Sequence, residues 1–369
     1  LFAISNTSNA HTRAWVCPQS GGCISKSPVI SRKIPNVDRT TDKLVEVLGH
    51  HRRVFFMLKE NNIKTHFLMI LVAVIWGLSW AIGRILSLEI PPMTGAWLRY
   101  ILTIIIFYIW FLMLKIKGDK VRWLPDSRNT FRSLVIIGFT GVLCYQFFFM
   151  YGMYYTAAGD ASLIITFNPI FTVILAAPLL GQEISRKMFL GLFCGLIGVG
   201  IVTGWSPNTQ IDFEDRILGD FLILCASFSW ATTTNMTKRL MDGRDGVNNY
   251  TSLEIVVWYS LIGTIMMTPF VVYDIWINGL ILPTREGWLA IVYLGAFSTV
   301  LAYYWFTIGI EKLGATAASS YIFLVPLFGI LGGWWLLEEN LGYSIIIGFI
   351  MILMGVRIVQ IESMRLKTS

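Results

Sequence analysis

Ten stretches of about twenty predominantly apolar residues follow one another along this chain, at roughly 66–87, 94–114, 131–154, 158–180, 187–204, 218–240, 253–274, 287–309, 316–337 and 342–361. Crossing the hydrocarbon core of a bilayer takes about 20 such residues as a helix. The connections between stretches are short, so little chain is left for a soluble domain. The composition agrees: 55% of the residues are hydrophobic and 14% charged, far from the balance of a soluble globular domain. The expectation is an all-α integral membrane protein with ten transmembrane helices.

Residues 1–56 stand outside this pattern. They are rich in Ser, Arg and Lys, hold no acidic residue before Asp38 and contain no periodic apolar run. They read as a leader, either an over-extended or disordered segment with Met57 as the natural start, or an organelle transit peptide, whose signature is Ser-rich, Arg-bearing and acid-poor.

Cysteine and histidine are informative for what they exclude. Cys17 and Cys23 fall in the leader, and Cys144, Cys194 and Cys225 in separate apolar stretches, so there is no CxxC pair or disulfide framework. His11, His50, His51 and His66 all precede or just open the first stretch, which takes the commonest general base and zinc ligand out of the membrane body. No phosphate-binding GxxxxGK[ST] loop occurs. A membrane enzyme or an ATP-driven pump therefore has little to work with, and neither metal nor cofactor is expected.

Lys and Arg set the orientation. With a cytoplasmic amino terminus, the inner segments carry clusters such as Lys115, Lys117, Lys120 and Arg122, or Lys238, Arg239 and Arg244, while the outer loops hold only Arg216 and Arg285. The positive-inside rule then places both termini in the cytoplasm. The net charge of +7 belongs to loops facing an anionic leaflet, and no nucleic-acid partner is needed to explain it.

A search for internal repeats is the most productive step. Shifting the sequence by 157 residues superposes 131–202 on 288–359 and matches Gly138 with Gly295, Ala161 with Ala318, Pro169 with Pro326, Gly191 with Gly348 and Gly198 with Gly355. A shift of 154 aligns Trp76 with Trp230 and Arg84 with Lys238. The chain reads as two copies of a five-helix unit, 66–204 and 218–361. Because five is odd, the second copy enters the membrane from the opposite side, an inverted repeat of the kind that supports alternating access in secondary transporters.

The motifs "WGLSW", "LRY", "AAGDASLIITFNPIFTVILAAPLLGQE" and "GATAASSYIFLVPLFGILGGWWLLEE" resemble the EamA repeats of the drug/metabolite transporter superfamily, across about 66–361. The first copy ends LGQE with Glu183, the second LEE with Glu338 and Glu339. Those last two acids precede the tenth stretch and suit the positive end of its helix dipole. The resemblance implies ten helices around a central cavity, and export of amino acids, related metabolites or drugs.

Candidate residues for that cavity follow from depth and type. Pro169 and Pro326 fall mid-stretch, each removing a backbone donor and freeing the carbonyl four residues back, at Ile165 and Ile322. Irregular backbone at that depth is tolerated only beside protein or a water-lined cavity, and Asn168 adds a polar group there. Trp123, Trp205, Trp276 and Trp288 sit at stretch ends as belt residues, whereas Trp76, Trp80, Tyr145, Trp230, Tyr303, Tyr304 and Tyr321 lie deeper, on helices that the resemblance implies line the cavity. Gln146 aligns with Tyr303. Together they suggest a pocket able to stack on, attract a cation from, or hydrogen-bond an amphipathic solute. Arg99 either snorkels outward or meets a substrate carboxylate; Arg84, Asp160 and Glu254 are candidates for coupling or gating. The partners expected are a small-molecule substrate and membrane lipid, and a monomer is compatible with the sequence.

The leading expectation is an exporter of small amphipathic metabolites in a prokaryotic plasma membrane. An organelle-envelope exchanger of the same superfamily, or a membrane enzyme or scaffold, are the alternatives. Reporter fusions after residue 184 and after residue 340 should report opposite faces of the membrane; both on one face would exclude the inverted repeat.

Overall fold

The computed structural model describes residues 63–119, 122, 124–156, 161–162, 164–203, 212–244, 250–329 and 344–368. The leader, Asp160, Trp123, Trp205, Glu338 and Glu339 lie outside them. Ten helical segments are present among the described residues: α1 (Ile63–Glu89), α2 (Pro92–Ile116), α3 (Arg128–Tyr155), α4 (Ile165–Leu180), α5 (Arg186–Thr203), α6 (Phe213–Met241), α7 (Ser252–Asn278), α8 (Arg285–Leu313), α9 (Ala315–Gly329) and α10 (Ser344–Thr368). Seven of them, α1, α2, α3, α6, α7, α8 and α10, are long and apolar enough to cross a membrane. The other three, α4, α5 and α9, are shorter; α5 has 18 residues. At 1.5 Å per residue a segment of that length falls a few ångströms short of a ~30 Å core, so among the described residues length alone carries seven crossings, where the sequence led to an expectation of ten.

Local chemistry sets the helix ends. Ser127 Oγ accepts from Thr130 N (3.1 Å) at the start of α3, and Thr284 caps α8 through Gly287 N. At α7 a capping box forms: Glu254 N donates to Thr251 Oγ1, and the Glu254 carboxylate accepts from Thr251 N at 2.9 Å. Pro92 opens α2 at a position where no backbone donor is lost. Gly181 ends α4 in the left-handed region at φ 59°, a conformation that disfavours any side chain.

Irregular turns repeat with the sequence. A π-helical segment interrupts α3 at Phe139–Cys144 and α8 at Tyr293–Leu301, and the two end at residues matched by the 157 shift. A 3₁₀ turn precedes each mid-helix proline, Ile165–Phe167 before Pro169 and Ser320–Leu324 before Pro326, again ending at matched residues. Both halves therefore carry the same breaks in the same order.

The halves meet closely where α5 packs on α10. A Cβ on Gly355 would lie 2.6 Å from Gly191 O and 2.5 Å from Gly195 N, and one on Gly198 would lie 2.8 Å from Gly348 O. Small residues matter here because lipid supplies no hydrophobic drive between helices, and backbone approach supplies dispersion contacts instead. The two contacts exchange under the 157 shift, and Cys194 Sγ reaches the carbonyl of its own counterpart, Met351, at 3.5 Å. Going forward along α5 from Gly191 to Gly198 means going backward along α10 from Gly355 to Gly348, so these equivalent helices run antiparallel. Likewise Gly77 sits against α9, where a Cβ would meet Val325 O at 2.8 Å. Gly355→Leu should destabilise the protein by about 1–3 kcal/mol or more, read as a lower melting temperature in detergent; an unchanged melting temperature would contradict this packing.

Candidate functional site

Helix α1 serves as a ruler through the molecule. Its midpoint lies at Trp76, and there a cavity with about 50 Å³ of room for water centres is lined by Trp76, Ser79, Trp80, Arg99, Tyr145, Phe149, Ile165, Trp230, Leu294, Ser298, Tyr303, Ile322 and Val325. That is space for a few waters. Six of the residues singled out from sequence come together here: Trp76, Trp80, Arg99, Tyr145, Trp230 and Tyr303.

Aromatic rings form most of the wall. Trp76 and Trp230, matched by the 154 shift, meet edge-to-face with centroids 5.5 Å apart. Tyr303 packs on Trp230 at 4.8 Å, and Phe306 packs on Trp76 at 5.1 Å. Together these rings close the cavity on the side towards Met69 and His66. On the opposite side Trp80 meets Phe149 at 5.2 Å, and Phe149 stacks with Tyr145 at 5.6 Å. Tilted and edge-on pairs are the preferred geometries of rings with an electron-rich face.

The polar groups are fewer and specific. Ser79 Oγ lies 2.9 Å from Ser298 Oγ, and Trp76 Nε1 donates to Ser298 O at 3.1 Å. The π segment of α8 presents both Ser298 and Thr299, since one extra residue per turn rotates the following side chains about the axis. Arg99 does not snorkel outward, being 3% exposed. Its Nε donates to Thr299 Oγ1 at 2.9 Å, and its guanidinium carbon is 5.3 Å from the centroid of the Tyr100 ring. Gln146 is buried behind the wall, donating to Tyr100 OH at 3.4 Å, which in turn bonds Tyr303 OH at 3.4 Å.

The prolines shape the cavity without lining it. Each freed carbonyl takes a donor three residues on instead of four: Asn168 N bonds Ile165 O, and Val325 N bonds Ile322 O. Ser227 Oγ adds a second bond to Ile165 O at 3.2 Å. This tightening is what turns Ile165 and Ile322 to the cavity. Asn168 is fully buried, but its amide donates to Ser227 O at 2.8 Å and its side-chain oxygen accepts from Thr172 Oγ1 at 3.4 Å. It ties α4 to α6 and is not part of the wall.

The remaining candidates are placed elsewhere. Tyr304 turns away and packs on Trp110 at 5.0 Å. Tyr321 lies a layer further along α1, where its hydroxyl bonds His66 Nδ1. Arg84 donates to the carbonyls of Met153 and Thr156, and Thr156 Oγ1 donates to Asp220 at 2.6 Å, so Arg84 binds backbone one turn beyond Trp80 on α1. Glu254 belongs to the capping box and also accepts from Arg122 N at 2.9 Å. Both sites thus hold structural hydrogen bonds. Trp276 and Trp288 are exposed, in keeping with belt positions. Among the described residues no group of His, Cys, Asp and Glu is arranged to hold a metal.

Sequence reasoning missed Ser79, Phe149, Leu294, Ser298 and Val325 in the wall, and Thr299 behind it. Ser79 was recoverable, because it shares a helix face with Trp76 and Trp80; Phe149 follows Tyr145 by one turn in the same way. Leu294, Ser298 and Thr299 carried no signal, since a π turn has no pattern of its own in the apolar periodicity.

Comparison with known proteins adds independent information. The profile of the EamA-like transporter family matches this chain twice, over residues 63–204 and 217–361. The uncharacterized transporter YetK of Bacillus subtilis is 24% identical over 78% of this chain and 83% of its own length. A protein of Escherichia coli named "Probable amino-acid metabolite efflux pump" is 26% identical over 80% of this chain and 94% of its own. A WAT1-related, chloroplastic protein of Arabidopsis thaliana is 25% identical over 76% and 66%. One crystal structure superposes with a TM-score of 0.65 at 16% identity, covering 82% of this chain and 98% of the other, a likeness of fold.

The position of Asn168 has a direct consequence. Asn168→Ala removes the second bond to the carbonyl of Ser227 inside the bundle and should cost about 0.5–1.5 kcal/mol of stability, seen as a lower melting temperature. A loss of solute binding with no change in melting temperature would instead place Asn168 in the site.

Proposed function

The chain belongs to the EamA-like transporter family, and from that premise we propose that it is a secondary carrier exporting small amphipathic metabolites by alternating access through the cavity at Trp76. It is a multi-pass membrane protein and a transporter, not an enzyme. The observation that carries the mechanism is the position of the cavity. It lies at the junction of two repeated halves, with rings and hydrogen bonds closing it at both ends. On the His66 side the closing layers are Trp76, Trp230 and Phe306, then the His66–Tyr321 contact. On the other side they are Trp80 with Phe149, then Arg84, Thr156 and Asp220. A solute of amino-acid size needs more than the present room, so this is a closed state, and opening one set of layers while the other holds gives alternating access.

Ten crossings in two inverted units is the topology that suits this mechanism. The antiparallel packing of α5 on α10, with contacts that exchange under the repeat, supports it. The Lys and Arg distribution supports cytoplasmic termini. The bacterial relatives suit a plasma membrane; the chloroplastic plant relative suits the organelle-envelope alternative. The relative named as an amino-acid metabolite efflux pump supports export of metabolites of that size.

Proteoliposomes holding the full chain should exchange labelled solutes drawn from a panel of amino acids, aromatic amines, aromatic acids and nucleosides. Tyr303→Ala, which opens the wall, should slow exchange about tenfold, the loss of one aromatic contact of about 1.4 kcal/mol. Tyr304→Ala, outside the cavity, should leave it unchanged. Flux of no solute in the panel, or equal losses in both variants, would overturn the reading.

A further inference from the structure

The cavity wall has an imbalance that the transport reading by itself does not explain. Arg99 is buried at the middle of the bundle, and its neutral hydrogen-bond partner is the hydroxyl of Thr299. Among the described residues no Asp or Glu stands within ion-pair distance of it. A buried charge without a counter-ion is expensive in protein and more so at membrane depth. Two further groups of the wall are also incomplete. Trp80 Nε1 and Trp230 Nε1 are buried donors with no acceptor, on side chains 6% and 4% exposed. Among the described residues that line the cavity, the buried polar atoms without a partner are both donors, and no side chain is acidic.

The repeat makes the charge a choice rather than a by-product of the scaffold. Gly138 and Gly295 are matched residues, and the first packs against the carbonyl of Tyr259, the second against that of Arg99. Tyr259 is therefore the counterpart of Arg99 in the other half. The same scaffold position accepts a neutral side chain, so the packing does not require a cation there.

We propose that the cavity takes an organic anion, an aromatic monocarboxylate, whose carboxylate pairs with Arg99 and accepts from the indole N–H groups of Trp80 and Trp230. The ring of the ligand lies among Trp76, Tyr145 and Tyr303, where apolar and edge-on contacts are available. A carboxylate supplies the acceptors that the two indole donors lack and compensates the charge of Arg99 at one stroke. A zwitterion brings an ammonium that no acidic group among the described wall residues receives, and a simple amine meets the like charge of Arg99. This narrows the wider class of amphipathic metabolites and rests on the reading of this cavity as the transport site.

The test uses the purified full chain with 3-phenylpropanoate, 3-phenylpropan-1-amine and phenylalanine as probes, measuring melting temperature in detergent and exchange in proteoliposomes. The anion should raise the melting temperature in a concentration-dependent way and exchange; the amine and phenylalanine should do neither. Arg99→Gln should abolish the effect of the anion while leaving the ligand-free melting temperature equal or higher, because a buried uncompensated charge has been removed. Trp80→Phe, which keeps a ring but no donor, should weaken anion binding about tenfold. A purely structural arginine predicts the reverse, a lower ligand-free melting temperature in Arg99→Gln with anion binding intact, and would overturn the proposal. Exchange of the amine or of phenylalanine without the anion would overturn it while sparing the transport reading. Anion binding without exchange of any probe would do the opposite, and no binding and no exchange would remove both.

Discussion

In hydrocarbon a backbone N–H or C=O has no water to bond, so each must find its partner within the protein. The rest of this structure depends on that constraint. It makes long regular helices the default and confines every irregular turn to places where neighbouring protein supplies the missing bond. The break at Pro169 shows how. The carbonyl of Ile165 is served by Asn168 N along the chain and by Ser227 from α6, while the Asn168 amide repays a bond to the Ser227 carbonyl. The helix can therefore change its winding at mid-depth, and that change turns Ile165 towards the cavity. At Pro326 a 3₁₀ turn accomplishes the same for Ile322.

Symmetry and its violation divide the labour. Matched glycines on α5 and α10 let equivalent helices touch backbone to backbone, and matched tryptophans on α1 and α6 meet at the centre of the wall. Such contacts are structural: each half supplies what the other needs, and neither can be altered alone. Chemistry enters where the halves differ. Arg99 opposes Tyr259, Gln146 opposes Tyr303, and Ser298 opposes Gly141. Ser298 and Gly141 occupy equivalent π segments, yet only Ser298 has a side chain to offer, and it bonds Ser79 where Gly141 merely makes room for Thr233. A duplicated scaffold thus yields an asymmetric lining.

The helical membrane body was legible from the apolar run lengths, and the repeat from glycine and proline spacing, because both are properties of sequence period and not of contacts. Depth along a helix was also legible, which is why six wall residues could be named. Facing was not. Tyr304 and Tyr303 are neighbours in sequence and lie at the same depth, but only Tyr303 reaches the cavity, since a helix turns by about 100° per residue. Asn168 and Glu254 stand out in the sequence as functional candidates because polar groups in a membrane are costly; their partners, Ser227 and Thr251, are close in space and satisfy them structurally.

By itself the sequence determined a helical, twice-repeated membrane protein, because hydrophobic length and residue spacing are set by the chain and the bilayer thickness. Only the tertiary structure decided which polar groups are satisfied and which are left waiting. Satisfaction is a matter of distances of about 3 Å between residues far apart in the chain. The packing answers Asn168, Arg84 and Glu254, and among the described residues it leaves Arg99 without a counter-ion in a wall of aromatic rings and unanswered donors.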